Sequence, residues 1–186
     1  ETDYVWHFEQ SLNDYDVVFL PGGFSYGDYI RSGRLAKFSP VVNAVKEYVK
    51  AKRGFVIGIC NGFQILCESG LLPGVLTDNW NTRFICKTSR LQIKNGKEIT
   101  LPIAHGEGRY LAEDHIMQEL KRKDMIFLTY INNPNGSMED IAGLYDRENN
   151  IIGMMPHPER AFFSETGSTD GREIFKIVEQ ALTVKK

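Results

Sequence analysis

A cysteine between two glycines and a histidine between two prolines are the residues with which this chain can do chemistry. In Gly58-Ile59-Cys60-Asn61-Gly62 a glycine stands two positions to either side of Cys60. That is the clearance G-x-S-x-G gives a serine on a sharp strand-to-helix turn, where side chains would collide with neighbouring backbone. A thiol so placed points into a cleft. It also stands at a helix N-terminus, where unpaired N–H groups and the helix dipole favour the thiolate, the nucleophilic form. The alternative for the same stretch is a core cysteine in an ordinary βα unit.

In Pro156-His157-Pro158-Glu159-Arg160 the prolines on both sides of the histidine hold its backbone extended and remove neighbouring donors. Residues two apart on an extended segment point to the same side, so Glu159 can take one ring nitrogen of His157 and leave the other for a nucleophile. Taken alone, the motif is equally a surface His–Glu pair. Beside Cys60 it completes a thiol, a base and an orienting carboxylate, the set that nucleophilic acyl chemistry requires.

These groups need elements that bring them together. Phe55 to Ile59 is an apolar run without polar alternation, which predicts a strand buried on both faces, and the residues after Gly62 have helical spacing with a stop at Gly70. Asp16 to Leu20 predicts another strand, ended by Pro21-Gly22-Gly23, whose backbone N–H groups can face a ligand or merely turn the chain. Tyr4 to Phe8 reads as a short strand. Ser39-Pro40 reads as an N-cap and first helical residue, followed by an apolar face of Val41, Val42, Val45, Tyr48 and Val49 and closed by Gly54. Leu91 and Ile93, then Ile99, Leu101 and Ile103, alternate around Asn95-Gly96 as in an antiparallel hairpin. A helix over 111–123, strands over 125–130, 141–145 and 151–155, and a last helix from near Asp170 complete the expectation. It is a single α/β domain with a central mixed, mostly parallel sheet flanked by helices. Cys60 and His157 both fall at carboxyl ends of predicted strands, where open α/β sheets place their sites.

Composition narrows the function. A net charge of −2 without a polybasic run supplies no field for nucleic acid or an anionic membrane. No segment approaches the roughly eighteen apolar residues of a membrane span. Cys60, Cys67 and Cys86 are an odd number without paired spacing, which points away from a secreted disulfide framework and toward the reducing cytoplasm. There is no G-x-x-x-x-G-K-[ST] for ATP, and Gly106-Glu107-Gly108 lacks the third glycine of a dinucleotide fingerprint, since Leu111 stands there. No C-x-x-C accompanies His157-x-Glu159, so the zinc-deaminase pattern fails, and no metal site is expected.

Four stretches together resemble a known family. Cys60-Asn61-Gly62-Phe63-Gln64 and His157-Pro158-Glu159 are similar to the nucleophile elbow and His-x-Glu of the triad-type, or class I, glutamine amidotransferases. With Pro21-Gly22-Gly23-Phe24-Ser25-Tyr26-Gly27-Asp28 and Ala104-His105-Gly106-Glu107-Gly108, they resemble more narrowly the glutaminase subunits of phosphoribosylformylglycinamidine synthases, over nearly the whole chain. The resemblance implies a flavodoxin-like amidotransferase domain spanning residues 1–186. Its triad would be Cys60, His157 and Glu159, its oxyanion donors the backbone N–H groups of Gly23 and Asn61, and its glutamine contacts Gln64, Arg83 and Phe84. Gln64 lies one helical turn after Cys60 on the same face; the alternative is a polar residue facing solvent. Arg31 and His105 are weaker candidates, His105 as part of a surface that meets a partner. The resemblance further implies glutamine hydrolysis with ammonia passed to a large synthetase subunit, which uses ATP and magnesium to convert formylglycinamide ribonucleotide to formylglycinamidine ribonucleotide in purine biosynthesis. A small bridging subunit is the other expected partner, and this chain itself needs no cofactor.

Two features depart from the family pattern. Its leading strand and helix are absent before Glu1, and the segment around Asn95-Gly96-Lys97 is short, so the gene product is expected to be longer than this chain. Two competitors remain: a stand-alone cysteine amidase or peptidase on the same fold, and a non-catalytic scaffold subunit whose Cys60 is structural.

Overall fold

Residues 1–183, described by a computed structural model, alternate strand and helix in their first third. Strand β1 (Val17–Leu20) is followed by α1 (Pro40–Lys50), β2 (Phe55–Ile59) and α2 (Asn61–Glu68). Helix α1 starts at Pro40, as the fixed proline φ favours, and buries Val42, Ala44, Val45, Tyr48 and Val49. All five residues of β2 are buried, as an unalternated apolar run requires.

The middle is antiparallel. Short strand β3 (Val75–Thr77) precedes the hairpin β4 (Ile85–Ile93) and β5 (Glu98–His105), then come β6 (Arg109–Leu111), α3 (Asp114–Arg122), β7 (Ile126–Tyr130), β8 (Ile141–Asp146), β9 (Ile151–Met154) and α4 (Arg172–Thr183). Seven strands form one sheet in the order β1-β2-β9-β8-β7-β4-β5, and β3 pairs with β6 in a separate ribbon. The sheet is mixed, as expected. Parallel pairing is confined to β1–β2 and β2–β9, while β9–β8, β8–β7, β7–β4 and β4–β5 are antiparallel. The expected parallel majority therefore holds only in the half that carries the elbow. Elsewhere short turns link neighbours such as β4 and β5, and a turn can join only antiparallel strands.

Two local expectations change. Tyr4 to Phe8 forms no strand: Tyr4, Trp6 and Phe8 stand exposed, with no neighbouring strand to take their backbone hydrogen bonds. The helix expected over 111–123 begins at Asp114, because Arg109–Leu111 pairs with Val75–Thr77 as β6. No described helix is long and apolar enough to cross a membrane.

Candidate active site

The elbow is the junction of β2 and α2. Cys60 adopts φ 52° and ψ −106°, a strained region for a residue with a side chain, of the kind held at functional sites by surrounding structure. The two glycines make this possible. A methyl group on Gly62 would run into the carbonyl oxygen of Leu20, and one on Gly58 into Leu66 and the Gly62 backbone. The backbone N–H of Cys60 donates to Met154 O at 2.7 Å, which ties the elbow to β9. The side chain is 6% exposed, and its thiol donates to Ala104 O at 3.6 Å.

His157 follows β9, the strand beside β2, so the sheet brings it next to Cys60 across about a hundred residues of sequence. Its backbone N–H donates to Pro102 O at 2.8 Å. Its Nδ1 lies 2.6 Å from Glu159 Oε1; the carboxylate can only accept, so Nδ1 carries the proton. Nε2 is buried and has no partner. A methyl group on Gly22 would sit 2.8 Å from His157 Cε1 and 3.5 Å from Cys60 Cβ, so the glycine keeps open the space between base and thiol.

Both side chains face a cleft of about 320 Å³ that Gly23, Gln64 and Phe84 also line. That is room for one amino acid. A larger groove, about 430 Å³ between α4 and Val17, Phe19 and Ile57, is almost wholly apolar, with Glu179 and Thr183 its polar residues, and it holds neither Cys60 nor His157.

Burial dominates the electrostatics. It pushes the Cys60 thiol up to about 11, and the Asn61 backbone N–H and the Arg160 guanidinium recover only part of the shift. Burial therefore works against the ready thiolate expected at the helix N-terminus.

The remaining expected residues divide. Gln64 does not face solvent: it is 4% exposed, donates to Glu107 O at 2.6 Å and accepts from Asn61 Nδ2 at 2.9 Å. Phe84 lines the cleft, whereas the exposed Arg83 stands outside the lining and its carbonyl accepts from Asn79 at 2.8 Å. Arg31 pairs with the buried Glu68, a tie that fastens the 22–35 loop to α2. His105, expected on a partner-facing surface, is 3% exposed inside the cleft, because β5 turns it toward the core.

Three side-chain roles escaped the sequence reading. The Asn61 side chain accepts from the Ser25 backbone N–H at 3.2 Å, and Glu107 Oε2 accepts from the Ser32 N–H at 2.9 Å, so both hold the loop that carries Gly23. Asn79 joins Arg83, His105 and Gly108. Asn61 was visible as the residue after the nucleophile; Ser32, the partner of Glu107, and His105 and Gly108, partners of Asn79, lie far along the chain, and no local pattern marks them. Among the described residues, no group of three or more His, Cys, Asp or Glu is arranged to hold a metal.

An elbow cysteine beside a carboxylate-held histidine, at the carboxyl ends of adjacent parallel strands, is the arrangement of a glutamine amidotransferase domain. Residues 3–179 match the family of CobB/CobQ-like glutamine amidotransferase domains, and the chain belongs to it. The phosphoribosylformylglycinamidine synthase subunit PurQ of Salinibacter ruber is 46% identical over 196 aligned positions, covering 95% of this chain and 83% of the relative. Its counterpart from Prochlorococcus marinus is 51% identical over 181 positions, covering 91% and 81%. A solved structure of PurLQS from Thermotoga maritima matches with a TM-score of 0.83 at 38% identity, over 92% of this chain and 82% of that one. Within the amidotransferases, this chain thus belongs to the phosphoribosylformylglycinamidine synthase PurQ family.

Proposed function

We infer that this chain hydrolyses glutamine through Cys60, His157 and Glu159 and hands the ammonia to a synthetase subunit that makes formylglycinamidine ribonucleotide from formylglycinamide ribonucleotide. The observation that carries the reading is the free, buried Nε2 of His157, held by Glu159 through Nδ1 and separated from Cys60 only by the side-chain-free Gly22.

The sulfur of Cys60 attacks the carboxamide carbon while His157 Nε2 takes the thiol proton. The backbone N–H groups of Gly23 and Asn61 hold the oxyanion, and losing one such donor costs about 3 kcal/mol of barrier. As the C–N bond breaks, His157 returns its proton to the departing nitrogen, releasing ammonia and leaving a γ-glutamyl thioester on Cys60. Water, deprotonated by His157, then attacks the thioester and frees glutamate. Glu159 orients the imidazole and stabilises its charged form without taking the proton. Gln64 and Phe84 wall the glutamine, with Arg83 at the rim. None of these steps calls for a cofactor in this chain; ATP and magnesium act in the synthetase partner, and a small third subunit bridges the two. Three free cysteines suit the reducing cytoplasm.

The test is substrate preference. Glutamate release from glutamine should far exceed hydrolysis of peptides and simple amides, and should vanish in Cys60→Ala. Peptide cleavage at a comparable rate would identify a stand-alone amidase instead, and glutamine turnover that survives Cys60→Ala would remove the triad.

A further inference from the structure

The cleft contains a second imidazole that the triad does not use. His105 is 3% exposed and its Nε2 is buried with no partner. Which proton it carries can be deduced from Asn79, itself 1% exposed. The Asn79 Nδ2 donates to two carbonyls, Arg83 O and His105 O, each at 2.8 Å. Its Oδ1 accepts from the Gly108 N–H at 3.2 Å and lies 3.0 Å from His105 Nδ1. Reversing the amide would set its oxygen against two carbonyls and its NH2 against an N–H donor, so the orientation is settled. An oxygen facing Nδ1 requires the proton on Nδ1. Nε2 is then a bare, buried lone pair on a ring that lines the cleft.

Ionisation does not alter this. Burial, helped by the neighbouring His157, holds the His105 ring down to about 4, so it is neutral where the enzyme works. A buried acceptor without a donor is costly, and the deficit is relieved when a ligand supplies an N–H. Glutamine and glutamate are nearly isosteric, but a carboxamide offers two N–H donors where a carboxylate offers only acceptors. Sites built to hydrogen-bond a substrate group reject the analogue that lacks it far better than apolar pockets can.

We propose that Asn79 fixes His105 as the Nδ1–H tautomer so that its Nε2 accepts an N–H of the glutamine carboxamide, and that this pair distinguishes glutamine from glutamate. His105 touches the substrate; Asn79 is a positioning residue. The same lone pair repels the carboxylate of the product and favours its departure. The inference rests on the glutaminase reading and concerns recognition rather than the covalent step.

Binding can therefore be measured in a Cys60→Ala background, where no turnover occurs. Calorimetry with glutamine and with glutamate should give a preference for glutamine that narrows about tenfold or more in His105→Leu and in Asn79→Ala, which removes the oxygen facing Nδ1, with part restored in His105→Gln, whose amide oxygen is again an acceptor. Equal weakening of both ligands would reduce the pair to a structural role and overturn the proposal. Imidazole nitrogen NMR on the Cys60→Ala chain needs no substitution at His105 or Asn79, so it decides the matter even if those variants misfold. Nε2 should resonate as unprotonated at neutral pH and shift when glutamine, but not glutamate, is added. A proton on Nε2, or no response to glutamine, would sink the idea. Failure of the triad would appear separately, as turnover that survives Cys60→Ala in the wild-type His105 background.

Discussion

Burial disfavours the charged form of Cys60 and pushes its thiol up to about 11, and the Asn61 N–H and Arg160 offset only part of the shift. The consequence can be read in its reactivity toward a small neutral alkylating agent without substrate. Below about 11 the reactive thiolate is the minor form and grows tenfold per pH unit, so the rate of modification at Cys60 should rise about a hundredfold between pH 7 and 9. The exposed Cys86 serves as the internal control in adduct mapping. A Cys60 rate already flat above pH 7 would show that a thiolate–imidazolium pair with His157 exists before substrate arrives. The other two members of the triad separate by role. His157→Ala removes the proton shuttle and should abolish nearly all turnover. Glu159→Gln keeps the imidazole but loosens its hold, so it should lose less in kcat and little in KM. Small and equal losses in both would return the His157–Glu159 contact to an incidental ion pair.

At the scale of elements, the site depends on how closely α2 approaches β1. Gly62 lies against the Leu20 carbonyl, so Gly62→Ala must push the elbow away from the strand or distort it. The expected cost is about 1–3 kcal/mol, as for overpacking elsewhere, together with loss of activity. Gly70→Ala, at a positive φ but with nothing near its added methyl, should cost about 1 kcal/mol and leave turnover intact. Urea midpoints and glutamine turnover of the two variants test this; equal effects would mean that the elbow is not sterically set. This part of the structure was legible in the residues. The buried run Phe55–Ile59, the spaced glycines and the prolines around His157 are local patterns with one physical reading each. The β3–β6 ribbon and the Asn79 network were not, because their energies come from partners about 30 residues away. Tyr4, Trp6 and Phe8 misled for a related reason: alternation of aromatic and polar residues marks a strand only where another strand lies beside it.

At the scale of the whole molecule, the loop beside the cleft leaves large apolar side chains in solvent. Phe24, Tyr29 and Ile30, on the loop that carries Gly23, are 71%, 71% and 81% exposed. The same loop is tied inward through three residues: Ser25 and Asp28 to Asn61, Arg31 and Arg34 to Glu68, and Ser32 to Glu107. A protein that covers those apolar side chains therefore pulls on a segment already linked to both ends of α2, and through Asn61 on the residue after the nucleophile. Ammonia released by an uncoupled site is lost to solvent, so a useful glutaminase is assembled fully only when its acceptor is in place. Such activation requires the synthetase to bind the competent arrangement better than the idle one, and couplings of this kind are about 1–3 kcal/mol. Glutamate production by this chain alone should accordingly be slow and rise about 5- to 150-fold with the synthetase and its nucleotide substrate. The gain should shrink in Glu68→Ala, which cuts the Arg31 and Arg34 ties without entering the cleft. Three assays decide it: the chain alone, with the synthetase, and with synthetase plus nucleotide. If the isolated chain already works at full rate and no addition changes it, the loop transmits nothing, and the neutral Cys60 must be activated by glutamine binding alone.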